Sequence, residues 1–431
     1  MRLHIKNGRL IDPANGIDAL KDICVAAGKI VEISNPGKST KNTKGTKTLD
    51  ASGLIVAPGL VDLSARLREP GYEYKATLES EMQAAMQGGV TSLLCPPDTD
   101  PVLDEPGLVE MLKHRARNLN QANVYPLGAL TTGLKGQALT EMAELTEAGC
   151  VGFSQAAEPI LDTMVMLRAL QYAKTFGYSV WLRPQDPSLS GGIAHSGPVA
   201  SRLGLPGVPV IAETIALHTI FELVRHTGAR VHLCRMSSAA GLELVRQAKK
   251  EGLPITCDVG AHHIHMTDED IGYFDANARM LPPFRAKRDR DAICAALLDG
   301  TVDAICSDHT PVDDDEKELP FGEASPGATG LELLLSLALK WADENVKPAQ
   351  QKMSRGIAKV TIDAARIAGL SCGQLSVGSP ADICLFDPAA RWKVEAASLA
   401  SQGKHTPFLG HELTGVVRAT IVGGHVAYER K

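Results

Sequence analysis

The feature of this sequence that most restricts its fold is a series of eight short apolar segments, separated by stretches with the periodicity of amphipathic helices. After the first segment, Leu78, Met82 and Ala85 recur at helical spacing before Gly88. This alternation predicts parallel βα units, and eight units predict a closed (β/α)8 TIM barrel, an α/β fold whose chemistry lies at the carboxyl ends of the strands. The eight segments are residues 54–67, 90–95, 124–129, 151–154, 179–182, 230–234, 254–259 and 302–307.

The two ends of the chain have a different sequence pattern, in which short β-rich segments are separated by turns. We therefore predict that residues 1–55 and 373–431 together build one small β-sandwich domain, and that residues 56–372 form the barrel. The length of 431 residues agrees with this division, because a barrel of about 250 residues leaves room for a small companion domain.

The charge and the cysteine content exclude several classes of binding partner and site. The chain has 44 Lys and Arg against 50 Asp and Glu, a net charge of -6, which argues against binding to nucleic acid or an anionic membrane. Small molecules or proteins are the expected partners, and we expect a homo-oligomer. The nine cysteines include no C-x-x-C pair, so they are expected to be reduced core residues. No signal-like or membrane-spanning run occurs, and we expect a cytoplasmic protein.

Several motifs at the ends of the predicted strands are specific. They are PGLVDL at 58–63 with LREPG at 67–71, DGTVDAI at 299–305 and SDHTP at 307–311. These stretches resemble the dihydroorotase branch of the amidohydrolase superfamily, and GLPG at 204–207, AHH at 261–263 and GLE at 330–332 extend the resemblance over essentially the whole chain. The resemblance implies a (β/α)8 barrel with a β domain built from both termini, in agreement with the pattern of segments.

Active members of that family hold zinc with His-x-His after strand 1, an acidic bridge after strand 4, one His each on strands 5 and 6, and an Asp on strand 8. By this resemblance, only Asp308 remains as a ligand, because guanidinium groups have no lone pair to donate. We predict that zinc is absent and that the three arginines converge on Asp308 with a net charge of +2. The residues at these former metal positions are Ser64, Arg66, Gln155, Arg183, Arg235 and Asp308.

The positions that the resemblance assigns to substrate are only partly kept. Arg68 matches the arginine that holds the substrate carboxylate, whereas Asp98 and Leu281 each replace an expected Asn. Val312 replaces a His that follows the SDHTP motif. We therefore expect recognition of dihydroorotate to be weakened.

Two other features invite alternative interpretations. The spacing of His262, His263 and His265 allows a mononuclear metal site, but packing and hydrogen bonding are the favoured interpretation. The acidic run at 313–316 is expected to be a solvated loop.

Three functions follow from these observations. The favoured hypothesis is a non-catalytic dihydroorotase homologue of pyrimidine biosynthesis, similar to inactive chains that assemble with aspartate transcarbamoylase and stabilise it. The second is an active dihydroorotase with an atypical site. The third is a metal-free anion-binding protein or enzyme that uses the arginines, with Asp308 as a base.

Overall fold

A computed structural model describes residues 2–39 and 45–430 of the chain. The outermost residues of the predicted β domain, and its residues 40–44, lie outside the described part. Within the described ranges, no helix is both long enough and apolar enough to cross a membrane.

The described residues form strands and helices that alternate through the middle of the chain and give way to strands at both ends. The strands are β1 (Arg2–Asp12), β2 (Ile17–Ala26), β3 (Lys29–Ser34), β4 (Lys47–Asp50), β5 (Ile55–Pro58), β6 (Leu60–Asp62), β7 (Val90–Cys95), β8 (Asn123–Pro126), β9 (Gly128–Ala129), β10 (Phe153–Ser154), β11 (Ser179–Leu182), β12 (Ala194–His195), β13 (Gly207–Val208), β14 (Arg230–Leu233), β15 (Ile255–Gly260), β16 (Ala304–Cys306), β17 (Ile383–Lys393), β18 (Glu412–Val422) and β19 (His425–Glu429). The α-helices are α1 (Leu78–Gln87), α2 (Pro106–Asn118), α3 (Met142–Ala148), α4 (Thr163–Phe176), α5 (Pro198–Leu203), α6 (Ile211–Thr227), α7 (Ala239–Glu251), α8 (Lys287–Asp299), α9 (Asp314–Lys317), α10 (Leu334–Asn345), α11 (Lys352–Lys359) and α12 (Ile362–Ala368).

The central strands form the predicted parallel barrel. One run of hydrogen-bonded neighbours is β6-β7-β8 and the other is β9-β10-β11-β14-β15-β16. Strands β8 and β9 are two halves of the third barrel strand, interrupted at Leu127, whose N–H donates to the carbonyl of Cys95. A parallel bridge between Ala65 and His309 joins the ends of the first and eighth strands. Each of the eight predicted apolar segments contains a barrel strand, and the first, residues 54–67, contains β5 as well.

The terminal segments build one sheet, in the order β19-β18-β17-β5-β1-β2-β3, with β4 paired to β1. Strands from both ends of the chain meet where β5 lies between β1 and β17. The fold is therefore a TIM barrel with a small β domain made from both termini. Because β5 begins at Ile55 and pairs in this sheet, it crosses the boundary expected at residue 55; the exact domain limits stay a prediction.

The helices begin and end where local chemistry dictates. Helix α1 begins after Thr77, whose hydroxyl accepts from the backbone N–H of Ser80 in a reciprocal capping box. Helix α6 ends at Gly228, whose φ of 66° lies in the left-handed region that other residues avoid. Helices placed in this way return the chain to the start of each strand, so that all strand carboxyl ends open at one face.

The barrel interior is filled by side chains. Trp181 on β11 is 1% exposed and packs in one cluster with Val61 on β6 and Leu94 on β7. The acidic run at 313–316 differs from the expected loop, because residues Asp314–Lys317 form one helical turn, α9, capped by the Asp313 side chain. Its Glu316 is also paired with Lys75 at 2.7 Å.

Candidate functional site

A cavity of about 150 Å³ opens at the carboxyl ends of the barrel strands. Its charged lining comes from loops that follow the first, second, sixth and eighth strands. Apart from Thr310, the remaining walls are apolar or backbone groups, including Met280 and Leu281. The charged residues are Arg66, Arg68, Asp98, Arg235 and Asp308.

Two ion pairs organise this cavity. Arg66 Nε donates to Asp98 Oδ2 at 2.7 Å, and Arg235 Nη1 donates to Asp308 Oδ1 at 3.1 Å. The pairs are joined, because Arg66 Nη1 lies 3.8 Å from Asp308 Oδ1 and donates to the hydroxyl of Thr310. Arg66, Arg235 and Asp308 are buried, at 7%, 6% and 3% exposed, whereas Asp98 is partly exposed, so the four groups form one network at the edge of the interior.

The prediction that the arginines converge on Asp308 alone therefore needs correction. Asp98 supplies a second carboxylate, and it neutralises Arg66 rather than standing as an uncompensated charge beside a ligand. Burial alone raises the pKa of Asp98, but the nearby guanidinium groups of Arg66, Arg68 and Arg235 outweigh burial and leave that pKa below its usual value. Asp98 is thus a carboxylate near neutral pH.

The backbone at this mouth is held in an unusual conformation. Arg68, Arg235 and Asp308 have φ values of 62°, 57° and 48°, in the left-handed region that is rare for residues other than glycine. Asp258 on β15 holds one of these turns, since its Oδ1 accepts from the Arg235 backbone N–H at 2.6 Å. Backbone strain of this kind persists where the surrounding structure fixes it, as at binding sites.

Arg183 lies beside the cavity rather than in its wall. Its Nη2 donates to the carbonyl of Ala157 at 3.1 Å, and its Nε is buried without a hydrogen-bond partner within the described chain. A neighbouring cavity of about 10 Å³ is lined by both Arg183 and Arg235, so the two are adjacent. Burial, followed by repulsion from Arg235 and Arg66, lowers the pKa of Arg183 to about 9, and the group therefore stays cationic near neutral pH.

Gln155, which the sequence places among the former metal positions, does not join the charged residues of the main cavity. Its Oε1 accepts from the Thr131 hydroxyl at 3.0 Å and its Nε2 donates to the carbonyl of Leu134 at 2.8 Å. Both polar ends are therefore tied to the loop after the third barrel strand. Gln155 and Arg183 instead line a separate cavity of about 230 Å³.

The other predicted positions are close to the cluster. Ser64 is buried below it, in a space of about 20 Å³ shared with Arg66 and Arg235. Arg68 lines the main cavity and donates through Nε to the carbonyl of Pro311 at 2.9 Å. Leu281 contributes its backbone, since its carbonyl accepts from Arg235 Nη1 at 3.4 Å. Whether these residues occupy former substrate and metal positions stays a prediction.

The residues at this mouth do not fit a zinc centre. The two arginines beside Asp308 present N–H donors to the carboxylate, where a zinc site needs further lone pairs on nitrogen, sulfur or oxygen. Across the described ranges, no group of three or more His, Cys, Asp or Glu side chains is arranged to hold a metal ion.

The histidine turn after β15 is built into the protein interior. His262, His263 and His265 bond through Nε2 to the carbonyls of Thr329, Pro282 and Leu337, respectively. Burial lowers the pKa of His262 and His263 to about 4 and that of His265 to about 3, so all three are neutral near pH 7. Packing and hydrogen bonding account for this cluster.

The sequence did not predict the hydrogen bonds that hold the segment following Asp308 in place. The next residue, His309, accepts from the Gly330 N–H at Nδ1 and donates from Nε2 to Glu81 Oε2 at 2.5 Å. Glu81 also accepts from the Ser401 hydroxyl and the Gln402 N–H. The periodicity of α1 indicated only that its apolar residues are buried, so Glu81 carried no signal of a long-range partner.

Comparison with known proteins identifies what this arrangement resembles. A family model described as dihydro-orotase-like matches residues 53–240, and an amidohydrolase family model matches residues 211–427. A dihydroorotase-like protein from Pseudomonas aeruginosa is 43% identical, and a dihydroorotase from Geobacter metallireducens is 42% identical, with each alignment covering 100% of both chains. The L-hydantoinase (dihydropyrimidinase) of Arthrobacter aurescens has a similar fold, with a TM-score of 0.86 and 24% identity over 99% of this chain and 96% of that one.

Proposed function

Because the chain belongs to the dihydroorotase-like amidohydrolase family, we propose that it is a non-catalytic member that acts as a structural partner of aspartate transcarbamoylase in pyrimidine biosynthesis. The observation that carries the proposal is the pair of arginines, Arg66 and Arg235, that approach Asp308 at the barrel mouth. The proposal includes a cytoplasmic location, self-association of the chain, and a barrel without zinc.

The charge at the mouth supports loss of metal chemistry. A cation placed beside Asp308 would be repelled by Arg66 and Arg235, because guanidinium groups remain charged in proteins. Without a metal-bound hydroxide, the chain has no nucleophile of the kind that zinc amidohydrolases generate. Asp308 Oδ1 already accepts from Arg235, so this oxygen is not free to take a proton from a substrate.

The intact fold supports a role for the surface. The described residues form both the barrel and the terminal β sheet, and the buried contact between Glu81 of the barrel and the Ser401 hydroxyl of the C-terminal segment ties the two together. Selection for turnover does not explain such a fold once the metal ligands are gone. A protein interface of standard size, about 1,600 Å² in total, requires no catalytic residue. The resemblance to inactive chains that assemble with aspartate transcarbamoylase supplies the partner.

The catalytic half of the proposal is tested by assaying the purified chain after expression with added zinc. We expect no cyclisation of carbamoyl aspartate and no hydrolysis of dihydroorotate. The alternative is an active enzyme, since the Geobacter metallireducens relative is named a dihydroorotase. A rate that disappears in Asp308→Asn, but persists in the control Asp315→Asn at an exposed site, would establish that alternative.

The partner half is tested by co-expression with the aspartate transcarbamoylase of the same organism, followed by gel filtration with light scattering. We expect one stable complex and a loss of transcarbamoylase stability or activity when this chain is omitted. Separate elution at micromolar concentration, together with unchanged transcarbamoylase activity, would refute the structural role.

A further inference from the structure

A cavity of about 590 Å³ lies at the junction of the barrel and the terminal sheet, and we call it the junction cavity. We propose that it binds a small phosphorylated metabolite, whose phosphate is held by Lys113 and Arg117. The hydroxyl or amino groups of the same ligand face Gln121 and Asp382. The inference goes beyond the role proposed in assembly and does not depend on it, because the junction cavity shares no lining residue with the cavity at the barrel mouth.

The junction cavity lies on the side of the barrel opposite the mouth. Asn123 and Val124, at the amino end of β8, form part of its wall, whereas the carboxyl ends of the strands open at the mouth. The terminal sheet contributes Asp382, just before β17, and His425 at the start of β19, which bonds through Nε2 to the carbonyl of Asn120 at 2.7 Å. Cavities of about 300–1,000 Å³ between domains, with apolar walls and a few polar groups, are typical small-molecule sites.

Two cations on α2 line the junction cavity without a carboxylate partner. Lys113 and Arg117 are one helical turn apart, a spacing at which like charges destabilise a helix. Among the described residues, Lys113 Nζ contacts only two backbone carbonyls, at 3.3 and 3.5 Å, and the Arg117 side chain has no hydrogen bond or ion pair. Arg115, on another face of the helix, is instead paired with Glu69. An anion in the cavity would supply the missing counter-charge.

The wall of the junction cavity also offers hydrogen-bond acceptors. Gln121 Oε1 is buried without a partner within the described chain, while Gln121 Nε2 donates to Gln83 at 3.1 Å. Asp382, the only carboxylate among the described lining residues, accepts from the Gly423 N–H at 2.7 Å and from Asn123 Nδ2 at 3.5 Å. The second of these contacts is long, so Asp382 Oδ2 can accept from a ligand. A buried acceptor without a donor is costly, and a hydroxyl or amino group would satisfy it.

These two sets of groups select the class of ligand. A phosphate group brings nearly two negative charges and three acceptor oxygens, which suits a lysine and an arginine side by side. The apolar parts of the wall, at Ala116, Ala122 and Val422, suit a carbon skeleton. Since a single water needs only about 10–15 Å³, a cavity of about 590 Å³ has room for a polyol phosphate or a nucleotide.

The test uses the full-length chain and two phosphorylated probes, glycerol phosphate and adenosine monophosphate. The references are glycerol, adenosine and inorganic phosphate. Calorimetry and thermal unfolding are measured with each compound at up to about 10 mM, which saturates a site with a Kd of about 1 mM. We expect one phosphorylated probe or both to bind at one per chain, about tenfold more tightly than the references, and to raise Tm. Binding of glycerol phosphate alone would identify a polyol phosphate, and binding of adenosine monophosphate alone a nucleotide.

The variants Arg117→Met and Lys113→Met locate the phosphate. Each should weaken binding by about tenfold or more, because each removes a charged hydrogen-bond donor. Arg117 is exposed, so Arg117→Met should keep the fold even if Lys113→Met does not. Two matched controls should leave the affinity unchanged, Arg168→Met at an exposed position on α4 and Arg68→Met at the barrel mouth.

The inference is overturned if neither phosphorylated probe binds more tightly than its references, or if Arg117→Met binds as the original chain does. Loss of binding in Arg68→Met would also overturn it, because the ligand would then lie at the barrel mouth. These outcomes are separate from the assembly test, since a chain that binds no phosphorylated ligand can still form the complex with the transcarbamoylase.

Discussion

At the scale of single residues, the mouth of the barrel depends on a few buried charges. Asp308 Oδ1 accepts from Arg235 at 3.1 Å and lies 3.8 Å from Arg66, while Asp98 holds the other side of Arg66. Each carboxylate is therefore needed to compensate the charge of a buried guanidinium group. The stability lost on removing a carboxylate therefore mainly reflects the cost of a buried guanidinium without a partner, and less the strength of the ion pair itself.

Asp308→Asn should lower the free energy of unfolding by about 3–5 kcal/mol, because it leaves buried guanidinium charge uncompensated. Arg235→Met should recover part of that loss in the double variant, with a coupling energy of at least about 1 kcal/mol from denaturant unfolding. The control cycle uses Arg225→Met and Glu251→Gln, an exposed pair expected to couple by less than about 1 kcal/mol. Strict additivity at Arg235 and Asp308 would contradict a shared network.

A second prediction concerns His263, whose buried ring has a pKa lowered to about 4 by burial. Above pH 6.5 the ring is neutral in both the folded and the unfolded chain. Between pH 6.5 and about 4 the His263 ring is protonated in the unfolded chain but stays neutral in the folded chain. The free energy of unfolding therefore decreases as the pH falls. His263→Gln keeps a donor for the Pro282 carbonyl and should reduce this pH dependence of the unfolding free energy.

The exposed His218 provides the control, since His218→Gln should leave the slope over this pH range nearly unchanged. An identical slope for His263→Gln and the original chain would show that the ring of His263 is not held neutral by the fold.

At the scale of elements, Glu81 joins three parts of the chain that are far apart in sequence. It lies on α1, accepts from His309 after β16, and accepts from Ser401 and Gln402 in the segment between β17 and β18. The carboxylate therefore fixes the end of the eighth barrel strand against the returning C-terminal segment. Burial raises the pKa of Glu81, but the hydrogen bonds that its carboxylate accepts from His309 and Ser401 outweigh burial, so that pKa is lowered.

Glu81→Gln should reduce the free energy of unfolding by about 2–3 kcal/mol, because charged hydrogen bonds in a fully buried site are replaced by weaker ones. Hydrogen exchange of the Gln402 amide, which donates to Glu81, should accelerate more than exchange in the barrel strands. Glu79→Gln on the exposed side of the same helix is the matched control and should change stability by less than about 0.5 kcal/mol. Equal effects of the two variants would rule out Glu81 as the link.

At the scale of the whole molecule, stability should come from the barrel, the terminal sheet and their buried networks rather than from a metal. We therefore expect the same Tm with and without a strong chelator, and less than stoichiometric zinc after dialysis. The physical reason is that a structural metal contributes its binding free energy to folding, whereas the residues at this mouth provide only one carboxylate flanked by guanidinium groups. One zinc per chain retained through dialysis, with a Tm that falls on chelation, would contradict this.

Much of the architecture was available from the sequence. Eight apolar segments alternating with helices are enough to predict a barrel, because few other folds bury that many parallel strands. The β-rich ends gave the second domain, although β5 pairs in the terminal sheet beyond the expected boundary. The acidic run at 313–316 was wrongly expected to be a loop, since the carboxylate of Asp313 caps a helical turn at that point.

What the sequence determined by itself is the set of charges at the strand ends, including Arg66, Arg235 and Asp308. Only the tertiary structure decided their partners, because side-chain direction depends on backbone angles and neighbouring loops. It pairs Arg66 with Asp98, sets Arg183 beside the cavity, and ties Gln155 to Thr131 and Leu134. Strand order fixes which residues reach the mouth, whereas the cost of burying each charge selects which groups meet there.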